Sequence, residues 1–364
     1  MQVRVRPSKL KQASLCPGSL QFESLLEENG NIIIEDEEIA AKGTLMHQCI
    51  AAMIHGYVVD DGKVNWSFEQ LSHMWQTENQ ELNGYDCWCI FSSYLWLMDV
   101  IKEYDIEPVN ILIEQHMDGA DLGMARGGTA DVILVIPFKQ LIIIDWKFGY
   151  LQQDEADISD QLAGYAVMGG RTFKTDDVVV MIYQARMEEP LSSAWYDADL
   201  LKQSEQWVRE TCAAAQAEDA ELHYNYKACY YCDALGRCPE ARTTIMNIMD
   251  AYNTVANESE LDVVEAYKAM KIAVRAETKL KSYIKPQLEA DPTLFPGLSL
   301  KDGNKRTTVG DPESLFMSMS SEGMNFWEIA DVSIGKLKKM VPKDSGLLNY
   351  IIDDGRNAPS LVVD

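Results

Sequence analysis

Two apolar, β-branched runs constrain this chain most: Val132-Ile133-Leu134-Val135-Ile136 and Leu141-Ile142-Ile143-Ile144, separated by Pro137-Phe138-Lys139. Runs of that length and composition read as strands, and the triplet between them reads as the turn of a hairpin. Once two such strands pair, register decides which face every side chain takes. With the turn centred on Phe138, Asp131 lies opposite Asp145. Alternation along the strand then gives Lys147 the same face as Asp145. Like charges directly opposed on a sheet repel. In a half-buried cleft, one of them takes up a proton or the pair binds a cation. A small set of oxygen ligands suits Mg²⁺ or Mn²⁺. An isolated Asp-x-Lys is most often a strand-end ion pair, but an aspartate at hairpin distance shifts the balance toward a site.

Other residues gather around that hairpin. Glu114 follows the apolar run Ile111-Leu112-Ile113 and can reach the same cation, or simply end a strand in solvent. His47 lies in Gly43-Thr44-Leu45-Met46-His47, expected in the first turn of a helix capped by Thr44 and closed by Gly56. Gln161 and Tyr165 are four apart and share one face of a helix over 157–168, closed by Gly169-Gly170. They are placed either to contact DNA or to cap the sheet.

Cys229-x2-Cys232-x5-Cys238 is a second constellation. Three thiolates so close can wrap one metal centre, which needs a fourth ligand. Cys16 is the best candidate, at the helix break Cys16-Pro17-Gly18. A thiolate-rich site selects zinc or an iron–sulfur cluster, and donor chemistry alone leaves both open. Cys49, Cys87, Cys89 and Cys212 lie in helical patterns and read as buried hydrophobes.

The 364 residues carry a net charge of −25, which counts against a protein that grips nucleic acid over its whole surface. A narrow cleft can still hold a local positive field. Basic residues do cluster: Arg4, Arg6, Lys9 and Lys11; Lys268, Lys271, Arg275, Lys279, Lys281 and Lys285; and Lys336, Lys338 and Lys339. Each cluster alone reads as a solvated helix face. No apolar run approaches the roughly 20 residues of a membrane span. No apolar core follows the basic N-terminal residues, so no signal peptide is expected, and the expected location is cytoplasmic. The expected order is helices over 8–26 and 35–55, a long helical stretch over 68–105, and a strand over 109–115. The hairpin, the 157–168 helix, a strand over 178–184 and a helix over 200–220 complete an α/β domain over 1–245. Residues 246–364 form a C-terminal appendage. It has a charged helix over 261–285 ended by Pro286, strands near 298–300 and 306–308, and helix over 321–340.

Taken in order, these motifs resemble the RecB-type branch of the PD-(D/E)XK nuclease superfamily. The match runs through Ser14-Leu15-Cys16-Pro17, Gly43-Thr44-Leu45-Met46-His47, Gly128-Thr129-Ala130-Asp131, Asp145-Trp146-Lys147, Gln161-x-x-x-Tyr165 and Cys229-x2-Cys232-x5-Cys238. The four cysteines are similar to those of its iron–sulfur subgroup, which includes the AddB and CRISPR-adaptation nucleases, and the whole chain is similar to phage proteins of this type. The resemblance implies a restriction-endonuclease-like mixed sheet flanked by helices. It implies Mg²⁺ or Mn²⁺ held by His47, Asp131 and Asp145, with Lys147 acting on water or phosphate. Gln161 and Tyr165 would support the site and contact DNA. Cys16, Cys229, Cys232 and Cys238 would hold a structural [4Fe–4S] cluster, with zinc the alternative. The implied activity is DNA hydrolysis, exonucleolytic in the first instance, in phage-type recombination, repair or replication. The implied partners are DNA, single-stranded or with free ends, and a phage single-strand-binding protein or recombinase. The chain has no G-x4-G-K-[ST] loop, so ATP-driven unwinding would come from a partner. Two other classes stand beside this one: a non-catalytic DNA-end or protein-binding module with a structural clasp, and a zinc-stabilised scaffold.

Overall fold

The computed structural model describes residues 3, 5–29, 37–64, 66–78, 82–137, 140–255, 263–301, 305–309, 351–356 and 360–363. The expected helix over 321–340, the basic group Lys336, Lys338 and Lys339, and the turn residues Phe138 and Lys139 lie outside them. The chain divides into two compact units, Met1–Ser282 and Tyr283–Asp364.

The first unit opens with the short helices Leu10–Leu15 (α1) and Ser19–Glu28 (α2), broken at Cys16-Pro17-Gly18. Glu37–Val59 (α3), Phe68–Glu78 (α4) and Gly84–Glu103 (α5) follow. Then come Ile111–Gly119 (β1), Met124–Ile136 (β2), Gln140–Lys147 (β3), Asp160–Phe173 (α6), Val178–Gln184 (β4) and Leu191–Tyr196 (β5). Ala198–Gln216 (α7), Tyr226–Tyr231 (α8), Pro239–Val255 (α9) and Val263–Ala290 (α10) complete the helices. This is an α/β fold on one mixed sheet, in the order β1-β2-β3-β4-β5. β1, β2 and β3 form an antiparallel meander, β3 and β4 run parallel, and β4 pairs antiparallel with β5. The one parallel pair is the one joined through a helix, α6, as parallel pairing requires.

The hairpin register runs from Val132–Ile144 to Ile136–Gln140, which centres the turn on residue 138. β3 is apolar almost throughout because it is covered on both faces. Ile142, Ile144 and Trp146 point into one core, built with residues of α3, α4 and α5. Leu141 and Ile143 point into the other, built with α1, α6 and α7.

Several boundaries differ from those the sequence suggests. α3 runs unbroken past Thr44 and Gly56, so His47 lies well inside the helix and not in its first turn. Gly56 lets the Trp66 ring approach; a Cβ there would lie 2.8 Å from it. The 68–105 stretch is two helices, because Asn83 starts a new one: its side chain accepts from the Tyr85 and Asp86 N–H groups while Asp86 accepts from Asn83 N. Gly169 and Gly170 do not close α6. At Gly169 the missing Cβ leaves room for Ile143 and Leu141, so the helix beds closely on the sheet. β5 is a strand that the sequence does not announce. It is an edge strand whose exposed residues Leu191 and Trp195 are apolar while Ser192 faces inward, so no clean alternation marks it.

In the second unit, Leu298–Lys301 (β6) pairs with Ser360–Val363 (β9), and Lys305–Val309 (β7) with Ile351–Arg356 (β8), both antiparallel. Pro286 does not end α10, which continues to Ala290. Among the described residues no helix is long and apolar enough to cross a membrane.

Candidate active site and cysteine centre

β1 and β2 change faces at one cross-strand position. Ile111 and Ile113 belong to the first core, but Met117, also odd-numbered, belongs to the second. On β2, Val132 and Leu134 face the first core and Ala130 the second. The alternation slips at Glu114 and Asp131, the position left unpaired between Ile113–Val132 and Gln115–Ala130. Glu114 takes a left-handed backbone there, φ 49°, which a glutamate inside a strand adopts only against strain. The Asp131 carboxylate occupies the place of a ladder partner and accepts the Trp146 N–H at 2.7 Å. This crease gathers three predicted ligands. One atom each of His47, Glu114 and Asp131 lies within 4.8 Å of the others, and His47 Nδ1 is 3.3 Å from Asp131 Oδ1. The Phe148 ring holds the imidazole edge-on at 5.3 Å.

Asp145 stands beside this group but is not part of it, because its carboxylate is engaged elsewhere. Oδ2 lies 2.7 Å from Lys147 Nζ, and Oδ1 accepts from Gln161 Nε2 at 3.0 Å. Lys147 Nζ also donates to Gln161 Oε1 at 3.4 Å. Gln161 therefore links acid and lysine, and it is set by the start of α6, where Ser159 caps Leu162 N. Asp145 Oδ2 is buried, and the Lys147 ammonium is its partner. Tyr165 does not reach the acids: its hydroxyl donates to the Thr129 carbonyl at 2.8 Å and braces β2.

The charges follow from these contacts. Burial pushes the Asp145 carboxyl up, against the pull of Lys147, and Asp131 adds to the rise. Burial alone would lower Lys147, but Asp145 outweighs it and keeps the ammonium charged. Burial also pulls His47 down, yet the hydrogen bond and charge of Asp131 raise it above its ordinary value. Desolvation and then the Asp131 charge raise Glu114. Three acids and one lysine thus crowd a site with too little positive charge, which is what a divalent cation would correct.

Asp145, Lys147 and Gln161 open onto a cleft of about 320 Å³, whose wall includes Arg6, Lys9, Lys11 and Lys227. Lys9 pairs with Glu23 and Asp233, each at 3.3 Å, and Lys11 with Asp154. Arg6, Lys9 and Lys11 of the N-terminal basic group, read as a solvated face from sequence, are in this wall, and Arg4 lies outside the described residues.

The four predicted cysteines line one small cavity with Ser19, Phe22 and Leu235. The Cys16 loop docks against residues 220–223: Gly18 N donates to Glu221 O at 2.8 Å, and His223 N to Cys16 Sγ at 3.2 Å. Glycine is required at 18, where a Cβ would stand 2.6 Å from the Ala220 carbonyl oxygen. On the other side, consecutive turns fold the thiols together, with Cys232 N on Cys229 O (3.2 Å) and Leu235 N on Cys232 O (3.3 Å). Burial pushes the Cys229 thiol up to about 11 and raises Cys16 and Cys232.

No curated protein matches the chain. Among solved structures, one described as a crystal structure of SSO0001 is similar at 15% identity. The match spans 46% of this chain and 80% of that one, with a TM-score of 0.25. The family described as "Protein of unknown function (DUF2800)" matches residues 6–364, and the chain belongs to that family.

Proposed function

We propose that this protein is a metal-dependent DNA nuclease of the PD-(D/E)XK type, acting as an exonuclease. The observation that carries the proposal is the crease that brings His47, Glu114 and Asp131 within 4.8 Å of one another, beside an Asp145–Lys147 pair that opens onto a cleft with Arg6, Lys9, Lys11 and Lys227 in its wall. The donor set fits a hard divalent ion, with one imidazole and two carboxylates. Mg²⁺ or Mn²⁺ bound there supplies a Lewis acid that lowers the pKa of its water and offsets phosphate charge. The chain's own groups do the rest. Asp131 is fixed by the Trp146 N–H, and the protonated Lys147 presents its ammonium to a phosphate oxygen. Gln161 holds Lys147 and Asp145 in one geometry, and Tyr165 holds the strand that carries Asp131.

We assign Cys16, Cys229, Cys232 and Cys238 to a structural [4Fe–4S] cluster. A tetrahedral zinc with bonds of about 2.3 Å holds its sulfurs less than about 4 Å apart. Four thiolates serve either centre, and the resemblance to the iron–sulfur subgroup is what favours the cluster. Zinc is d¹⁰ and colourless, so visible absorption that bleaches on reduction, with iron in elemental analysis, supports the cluster. Cys232→Ser is expected to lose that absorption and Cys212→Ser to keep it.

The test of function is digestion of end-labelled single- and double-stranded DNA with Mg²⁺ or Mn²⁺. Lys147→Ala and Asp145→Ala are expected to lose about 10²–10³ in rate, as for loss of one electrostatic stabiliser. Intact protein that leaves both substrates uncut refutes the proposal. If it still binds DNA ends, the reading as a non-catalytic DNA-end-binding module replaces it.

A further inference from the structure

The basic run of α10 has no part in the chemistry above, and the fold sets it beside the tyrosines of α8. The Arg275 guanidinium lies over the Tyr230 ring, 5.6 Å from its centroid. Lys271 Nζ lies 5.3 Å over the Tyr267 ring. Tyr230 packs 6.2 Å from Tyr226 and 5.1 Å from Tyr231. Tyr231, together with Lys227, lines the cleft that holds Asp145 and Lys147. A row of ring faces and cations therefore starts at the cleft wall and continues over α8 and α10.

Packing accounts for part of this row: Arg275 also donates to the Tyr230 carbonyl and ties α10 to α8. It does not account for Tyr267 and Lys271, one turn apart on α10 and both exposed, nor for Tyr231, 46% exposed at the cleft wall. These ring faces are open to solvent, and the cations beside them stand out in a chain of net charge −25. Unpaired bases stack on ring faces while cations meet the phosphates, and such a surface is indifferent to sequence. A duplex hides its base faces and cannot use the rings.

We propose that the tyrosine–cation face of α8 and α10 binds single-stranded DNA and leads it into the cleft at Asp145 and Lys147. The direction of that path rests on the nuclease reading; the binding itself does not.

The experiment measures anisotropy of a labelled oligothymidylate with the full-length protein, without added divalent cation. Wild type is expected to bind it in preference to a duplex of equal length. Tyr267→Ala weakens binding at least about fivefold, the effect of one lost stacking contact, and Tyr267→Phe restores it. Lys271→Ala lowers the slope of log affinity against log salt by about one. Both sites are exposed, so unfolding temperatures stay at the wild-type value. Wild type that ignores the oligonucleotide, prefers the duplex, or binds no better than Tyr267→Ala and Lys271→Ala overturns the proposal. The two readings fail separately. Strand binding that depends on Tyr267, without cleavage in Mn²⁺, sinks only the nuclease. Cleavage with an affinity unmoved by both variants sinks only this surface.

Discussion

Adding Mn²⁺ to the protein with its cysteine centre intact is expected to raise its unfolding temperature, and Asp131→Asn to abolish the rise. An octahedral ion at about 2.1 Å from its ligands holds neighbours about 3.0 Å apart and opposite ligands about 4.2 Å apart. His47 Nδ1 and Asp131 Oδ1 are already 3.3 Å apart, and the whole group lies within 4.8 Å. Closing on an ion thus needs movements of tenths of an ångström, which rotamer adjustments supply. The main gain is electrostatic, since the Asp131 charge raises the proton affinity of Glu114 and a cation between the two carboxylates would relieve that repulsion. A ligand at one hundred times its dissociation constant stabilises the native state by about 2.7 kcal/mol. In a domain of this size each kcal/mol is worth about 2–4 °C. The expected rise is therefore about 5–10 °C by circular dichroism, against about 1 °C or less for Asp131→Asn.

Protonation sets the sign of the pH dependence. His47 ligates only when neutral, and Asp131 has raised its pKa against the effect of burial. The Mn²⁺-induced rise is then largest above that raised value and shrinks as pH falls through it, so the shift at pH about 8 exceeds that at pH about 6. An Asp131→Asn protein with an undiminished rise would place the ion elsewhere. A wild type with no rise at millimolar Mn²⁺ would remove the ion altogether. Either result refutes the reasoning.

Asp86 is fully buried and holds Arg186, whose side chain is 2% exposed, while Lys42 sits 2.6 Å from it with 30% of its side chain exposed. Asp86→Ala leaves a buried guanidinium unpaired and is expected to cost about 3–5 kcal/mol in denaturant unfolding, whereas Lys42→Met costs less than about 1 kcal/mol. Burial raises the Asp86 carboxyl, but Lys42 and Arg186 outweigh it and hold it below its ordinary value. Its contribution is complete above the ordinary carboxylate pKa of about 3.9 and is lost as pH falls through the lower folded value, so acid unfolding of Asp86→Asn is shallower than that of wild type. Gly18→Ala pushes a methyl into the Ala220 carbonyl oxygen. It is expected to cost about 1–3 kcal/mol and to reduce the metal content of the cysteine centre by elemental analysis.

The hairpin was legible because β-branched runs on both sides of a short turn leave one register that buries them, and the observed pairing runs through it. The two covered faces of β3 were implied by an apolar run with no polar alternation. The α2 break was legible for a comparable reason, as Pro17 and Gly18 cannot continue a helix from Cys16. Features decided by distant neighbours were not legible. Gly56 and Gly169 look like helix ends because glycine favours ends locally, yet each is there to admit Trp66 or Ile143 from elsewhere in the chain. The strain at Glu114 left no mark in composition, since glutamate has no preference for positive φ. The Asn83 cap was readable and was missed: Asn-Gly-Tyr-Asp carries a capping-box acid three residues on.

The acidity of the chain and the proposed substrate are compatible once charge is placed and not merely counted. Fields from exposed carboxylates fade over about 8–10 Å at physiological salt. A phosphate deep in the cleft therefore answers mainly to the groups that line it. Those are Arg6, Lys9, Lys11, Lys147 and Lys227 against Asp145, Asp154, Asp160 and Asp233, a balance of one positive charge. The exterior, left with most of the −25, repels a polyanion that approaches broadside. A strand presented end-on escapes that repulsion, because only its terminal phosphates enter and they meet cations first. On this electrostatic ground a nuclease with an acidic exterior and a slightly positive cleft would select DNA ends over continuous duplex. Raising the salt would then narrow the preference, since screening weakens the outer repulsion more than the contacts within the cleft.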